Sequence, residues 1–157
     1  MQIGFTLDIY SDLETVFSWI ANPDKAMVWM TSVAGGQIID LRPRMVGITF
    51  RDRVEEGGGG IEMHGSITAF EPNHRISFHL ESRVNRLDVD YRIDEVGDFV
   101  RLTVTSNIHW KFPVNVISLF AGSTMKKKII AQSNEEFARL IRLCEEREAP
   151  QQASALT

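Results

Sequence analysis

Four side chains with acid–base or hydrogen-bonding capacity, Asp52, Ser82, Ser106 and Tyr91, fall where strand alternation turns them toward the inside of a sheet. A carboxylate held there is costly unless it is paired or hydrated. With Asp52 as base and Tyr91 as donor, such a set could run general acid–base chemistry. The other residue types that often carry chemistry point elsewhere. His64, His79 and His109 alternate onto the outer face, and His74 falls in a turn. None has metal-ligand spacing, and a single cysteine cannot complete a thiolate site, so no metal is expected. Cys144 lies on an apolar helix face and reads as a small core residue rather than a nucleophile. No serine sits in a nucleophile-elbow context. The Gly57–Gly60 run lacks the lysine and helix of a phosphate loop. Asp88, Asp90 and Asp94 alternate along one outer face without a calcium-binding loop, so they read as solvated charges. No cofactor is expected.

The inward assignment rests on hairpin register, because register decides which side chains lie opposite. If Val54 pairs with Ile61, Phe50 lies opposite Gly65 and Asp52 opposite Met63. The following hairpins set Gly65 against Leu80 and Ile67 against Phe78, then Phe78 against Tyr91, and Tyr91 against Leu102. Inner rows follow. One is Val46, Ala69, Ile76, Ile93, Val100. The next is Ile48, Ile67, Phe78, Tyr91, Leu102. The third is Phe50, Gly65, Leu80, Val89, Val104. The fourth is Asp52, Met63, Ser82, Leu87, Ser106. Three rows are nearly all apolar and the fourth is polar. That polar end reads either as part of a hydrated pocket or as the exposed rim of the sheet.

Trp19, Trp29, Phe50, Phe78, Tyr91 and Trp110 each suit core packing taken singly. As a group they suggest a pocket lined by aromatics with a few polar anchors, the usual form of a small-molecule site. The expected ligand-binding set is Trp29, Phe50, Asp52, Met63, Phe78, Leu80, Ser82, Tyr91, Val104, Ser106 and Met125.

These residues need a scaffold, and the chain's patterning supplies one. Gln2–Ile9 alternates as a strand. Ser11 and Glu14 have capping-box spacing ahead of a short helix through Val16, Phe17 and Ile20. Asn22-Pro23-Asp24 starts a second helix carrying Met27, Trp29 and Met30. Six further strands are expected at Gly36–Leu41, Val46–Glu55, Gly60–Phe70, Arg75–Ser82, Asn85–Asp94 and Phe99–Trp110. A long helix closes the chain, with Ile130, Ser133, Phe137, Leu140, Ile141 and Cys144 on one apolar face. Lys127, Lys128, Gln132, Glu135, Glu136, Arg139 and Arg142 fill the other side. The apolar phase changes at Gly122-Ser123, which predicts a break there, with Val114–Ala121 on a separate axis. From Ser123 to Glu146, at ~1.5 Å per residue, a helix of roughly 36 Å would lie along a whole sheet.

The expected fold class is therefore α+β: a seven-stranded antiparallel sheet around a long C-terminal helix, with two short helices between strands 1 and 2. With 157 residues, 43% hydrophobic and 24% charged, one domain over residues 1–147 is expected, with a disordered tail over 148–157. A net charge of -4 implies no general attraction to nucleic acid. No apolar run approaches ~20 residues and no leader pattern opens the chain, which makes the cytoplasm the expected compartment and excludes an integral membrane segment.

Three stretches resemble a known family. Asp12-Leu13-Glu14-Thr15-Val16-Phe17-Ser18-Trp19-Ile20 is similar to the first helix of the START-like (SRPBCC) superfamily, the helix-grip fold that includes polyketide cyclase/dehydrase-like and lipid-transport proteins. Asn22-Pro23-Asp24 with Trp29 resembles the segment that follows. Gly65-Ser66-Ile67-Thr68-Ala69-Phe70-Glu71-Pro72-Asn73-His74-Arg75-Ile76 resembles its glycine-to-"EP..RI" hairpin. The resemblance covers about Met1–Arg147. It implies a cavity between sheet and long helix for a small apolar molecule, and it carries no catalytic set. The first functional reading is thus a carrier of a hydrophobic or aromatic, lipid- or polyketide-like ligand. The second is a polyketide cyclase or dehydratase-type enzyme on the same cavity. The third is a protein-interaction module of the chaperone-activator kind. A homodimer is compatible with all three, and whether a reaction is catalysed is left open.

Overall fold

Capping chemistry sets where the first two helices begin. In the computed structural model, Asp12 caps helix α1 (Leu13–Ala21), its Oδ1 accepting from the Thr15 amide at 2.7 Å. The cap is thus Asp12 rather than the expected Ser11. Asn22 ends α1 and caps α2 (Pro23–Trp29), accepting from the Asp24 amide at 3.0 Å with proline at the first helical position. The structure describes the backbone of residues 1–30, 32–33, 36–44, 49–56, 59–83, 85–111 and 114–146, and the side chains of residues 1–30, 63–83, 85–111 and 126–146.

Among the described residues the strands are β1 (Gln2–Ile9), β2 (Ser32–Val33), β3 (Gly36–Arg44), β4 (Thr49–Glu56), β5 (Gly59–Glu71), β6 (Arg75–Glu81), β7 (Asn85–Val96) and β8 (Phe99–Trp110), followed by helix α3 (Val114–Glu146). They form one antiparallel sheet in the order β1-β8-β7-β6-β5-β4-β3-β2. The count is eight rather than the expected seven. The addition is the two-residue β2, which is too short to carry an alternation signal. No helix among the described residues is long and apolar enough to cross a membrane.

The expected break at Gly122 is not there. A single 33-residue helix runs through it. A glycine inside a helix costs about 1 kcal/mol relative to alanine, and continuous backbone hydrogen bonding outweighs that. A change of apolar phase alters which surface a helix presents, and it does not by itself require a break.

Helix α3 packs on the inner face of the sheet through two clusters. Phe137, Leu140 and Cys144 join Ile9, Ile76, Tyr91, Ile93, Val100, Leu102 and Val104, together with Val16, Phe17, Ile20 and Trp29 of the short helices. Nearer its N-terminal end, Ile129 joins Ile3, Met63, Leu80, Leu87, Ile108 and Trp110. Truncating Leu140, which has no exposed surface, to alanine would cost about 2–5 kcal/mol.

The hairpin loops decide the register. At Glu71–His74 the His74 amide donates to the Glu71 carbonyl at 3.0 Å, and Asn73 has φ 64°, the type II pattern with proline second and a positive φ third. Val96 pairs with Phe99, leaving Gly97 and Asp98 as a two-residue loop with Gly97 at φ 60°. Glycine at the first central position is the II′ pattern that suits a twisted hairpin. Between β6 and β7 the Ser82 amide donates to the Asn85 carbonyl at 2.9 Å, closing another tight turn.

These closures confirm some expected pairings and correct others. Phe50 lies opposite Gly65, Asp52 opposite Met63, Gly65 opposite Leu80 and Ile67 opposite Phe78, as expected. Tyr91, however, lies opposite Ile76 and Val104, not Phe78 and Leu102. Both later hairpins close tighter than the alternation implied, so each strand slides by two residues. A slide of two keeps every side chain on its face. A bulge at Thr68 also puts Phe70, not Ala69, opposite Ile76.

Candidate functional site

The slide regroups the inner rows. One now reads Gly65, Leu80, Leu87, Ile108. The next reads Ile67, Phe78, Val89, Ser106, Ile3. The third reads Ile76, Tyr91, Val104, Phe5. The middle row has an unusual burial. Gly65, Leu80, Leu87 and Ile108 on one side of it are buried, as are Ile76, Tyr91 and Val104 on the other, yet Ile67, Phe78, Val89 and Ser106 keep accessible surface. Ile67, Phe78 and Val89 touch both apolar clusters, and neither cluster buries them fully.

One polar group, Tyr91, borders this row. Tyr91 is buried, and its ring meets Phe78 edge-on with centroids 6.0 Å apart. Burial, and secondarily the Glu136 carboxylate, push the Tyr91 phenol well above the usual tyrosine range. It is therefore a neutral hydroxyl at physiological pH. Glu136 itself is only 8% exposed, although helix periodicity assigned it to the solvent side. One turn earlier, Gln132 holds a buried Oε1 with no hydrogen-bond partner among the described residues. The sequence carried one signal for this flank: Gln132, Glu136 and Arg139 share one side of α3 at helical spacing.

The expected site residues divide. Phe78, Tyr91, Val104 and Ser106 come together on adjacent rows. Leu80 and Met63 are buried in the neighbouring cluster with Ile129. Trp29 is fully buried, with its indole N–H donating to the Trp19 carbonyl at 2.8 Å and its ring 6.0 Å from that of Phe137. Ser82 is buried within the β6–β7 turn, where its Oγ bonds Asn85 Oδ1 at 2.8 Å. The polar row of Asp52, Met63, Ser82, Leu87 and Ser106 is not formed, because Ser106 moves beside Val89 and Leu87 beside Leu80. The side chains of Phe50, Asp52 and Met125 lie outside the described residues.

On the outer face, Asp90 accepts from Arg75 Nε at 2.8 Å, from Arg92 Nε at 2.7 Å and from Ser77 Oγ. His79 Nδ1 lies 2.7 Å from Asp88 Oδ1. Ser66 is its cross-strand neighbour, which makes a serine–histidine–aspartate row. His79 Nε2 faces Glu81 at 3.8 Å rather than a hydroxyl, so the row is a polar ladder on the outer face and not a nucleophile–base pair.

A family model described as polyketide cyclase / dehydrase and lipid transport matches residues 6–145. No curated protein matches in sequence. Among solved structures, a protein from Chromobacterium violaceum is similar with a TM-score of 0.70 and 12% identity, over 92% of this chain and 98% of that one. A START superfamily protein from Mycobacterium smegmatis gives 0.61 and 18%, over 90% and 98%. A protein of the dynemicin biosynthetic locus, DynU16, gives 0.56 and 18%, over 90% of this chain and 46% of that one. At such identity the likeness is one of fold, and function has to be argued from the site.

Proposed function

The chain belongs to the polyketide cyclase / dehydrase and lipid transport family of the START-like superfamily, and from that premise we propose that it binds a small hydrophobic or aromatic molecule, lipid- or polyketide-like, between the sheet and α3. One observation carries the reading. Ile67, Phe78, Val89 and Ser106 keep accessible surface between buried Leu80, Leu87 and Ile108 on one side and buried Ile76, Tyr91 and Val104 on the other. Apolar groups left open between two closed rows gain from a ligand that covers them, by about 25 cal/mol for each Å² removed from water. Phe78, Val89 and Val104 would meet the apolar body, with Phe50 and Leu80 beside them, and Ser106 and Tyr91 would orient its polar end.

Native mass spectrometry of the purified protein, with a titration of N-phenyl-1-naphthylamine, tests this. A bound small molecule, or a saturable fluorescence rise at one equivalent, is expected. Neither a bound mass nor a saturable signal would remove the reading.

A second reading, a cyclase or dehydratase-type enzyme on the same site, is favoured by the Tyr91 hydroxyl, which burial keeps neutral and which feels the charge of the buried Glu136. There Tyr91 would donate, and Asp52 or Glu136 would accept a proton. Asp52→Asn separates the readings. A carrier should keep its affinity within about tenfold, or 1.4 kcal/mol, whereas an enzyme that uses Asp52 as base should lose turnover.

A further inference from the structure

Strand β1 ends the sheet, and its outer edge is bare. The Met1 nitrogen donates to the Ile108 carbonyl at 2.9 Å, and the Ile108 amide donates to the Met1 carbonyl at 2.8 Å. From there β1 runs antiparallel to β8 without a register shift from Gln2 to Ile9. Antiparallel bonding alternates, so Ile3, Phe5, Leu7 and Ile9 turn their N–H and C=O groups to β8, and Gln2, Gly4, Thr6 and Asp8 turn theirs away from the sheet. Among the described residues nothing bonds those outward groups. The opposite edge is protected. Its last strand, β2, has two residues, and β3 behind it carries Pro43 and a register shift between Ile38 and Asp40. Strand β1 has no proline, no lysine and no bulge. Its one charge, Asp8, is met by Arg101, whose Nε donates to it at 2.9 Å.

The side chains along this edge are self-complementary. Gln2, Gly4, Thr6 and Asp8 are exposed on the outer face, and Phe5 and Leu7 on the inner face are only half-buried. Two antiparallel copies of β1 can bond only through their outward groups, so those four residues must pair with one another. One register uses all four. Gln2 of each copy then lies opposite Asp8 of the other, and Gly4 opposite Thr6, with about eight hydrogen bonds in all. The two-fold axis passes at Phe5, which meets its own copy, and Ile3 lies opposite Leu7. Carboxamide faces carboxylate, and apolar faces apolar. Sliding either way by two residues loses a pair. Parallel pairing in register would set Asp8 against Asp8, and like charges directly opposite are destabilising.

We infer that β1 is a docking edge for a second copy of this chain, the two sheets joining antiparallel through Gln2–Asp8 into one continuous sheet across a two-fold axis. The pairing satisfies the outward backbone groups and covers the open sides of Phe5 and Leu7. It does not depend on the ligand-binding reading. A ladder of this length is at the small end of specific interfaces, so the dimer is weak and reversible, with a Kd on the order of micromolar.

The test is sedimentation velocity of the full chain over about 1–100 µM. Wild type should pass from monomer to dimer and no further, because a two-fold contact closes on itself. Thr6→Pro removes an outward N–H that bonds nothing within the subunit. Thr6→Lys, a change at an exposed side chain, brings two ammonium groups near each other across the axis. Each should raise the Kd at least about tenfold with an unchanged circular dichroism spectrum. The register is read by oxidative crosslinking. Gly4→Cys mixed with Thr6→Cys should give more disulfide-linked dimer than either variant alone, since Cys144 has no exposed surface to compete. Wild type that stays monomeric across the range overturns the proposal. Association that Thr6→Lys retains unweakened places the interface elsewhere and overturns it too. Equal crosslinking by the mixture and by Thr6→Cys alone overturns the register.

Discussion

Arg139 on α3 donates from Nη1 to the backbone carbonyl of Trp29, the last residue of α2, at 3.0 Å. The final carbonyls of a helix have no partner within it, and a guanidinium there supplies both a hydrogen bond and a favourable charge. The bond also ties the short helices to the long one. Arg139→Ala should lower stability by about 1–2 kcal/mol in a denaturant titration. Arg139→Lys should recover part of that, because a single ammonium can still reach one carbonyl.

The open row predicts an asymmetry between two tryptophan substitutions. Val89 is partly accessible, whereas Leu80 is buried beside Met63 and Ile129. Val89→Trp should occupy the open space and weaken N-phenyl-1-naphthylamine binding at least tenfold at little cost in stability. Leu80→Trp should overpack its cluster and cost about 1–3 kcal/mol. If Val89→Trp folds and binds the probe as wild type does, the ligand lies elsewhere.

Asp90 gives the outer face a pH signature. Partial burial raises its pKa, but the hydrogen bonds from Ser77, Arg75 and Arg92 outweigh it, and the net shift is downward. In acid the unfolded chain then binds a proton that the folded chain does not, so stability falls with pH. The contribution is complete above the unfolded value of about 3.9 and is lost as pH falls through the lower folded value. Asp90→Asn should lower the denaturant midpoint at pH 7 and flatten its decline below about pH 4. Midpoints measured from pH 2.5 to 7 on both proteins check this.

Cys144 has no exposed surface, and burial pushes its thiol up to about 12, with Glu145 and Asp12 adding to the effect. It should not react with a disulfide reagent at pH 8 while the chain is folded, because the thiolate is the reactive species. Labelling should follow the unfolding rate in denaturant. Rapid stoichiometric labelling of the native protein would contradict the packing of Cys144 against α1 and the sheet.

Much of this fold was legible because side-chain periodicity is local. The alternation of Ile3, Phe5, Leu7 and Ile9, the Asn22-Pro23 junction and the Phe137–Leu140–Cys144 stripe each announce an element within a few residues. The inward facing of Phe78, Tyr91 and Val104 was legible for the same reason, and a slide of two residues leaves it intact.

What tertiary structure alone decided is which of these residues meet. Gly97 with φ 60° and the Ser82–Asn85 closure shorten two hairpins, which moves Ser106 beside Val89 and Tyr91 beside Val104. Alternation cannot see this, because its period of two repeats identically after every such slide. Glu136 shows the same limit on the helix. A lone carboxylate at the edge of an apolar stripe reads as solvent-facing, and only the packing of α3 against the sheet and the short helices buries it. Local pattern records the face on which a side chain lies, whereas its environment depends on surfaces brought together from distant parts of the chain.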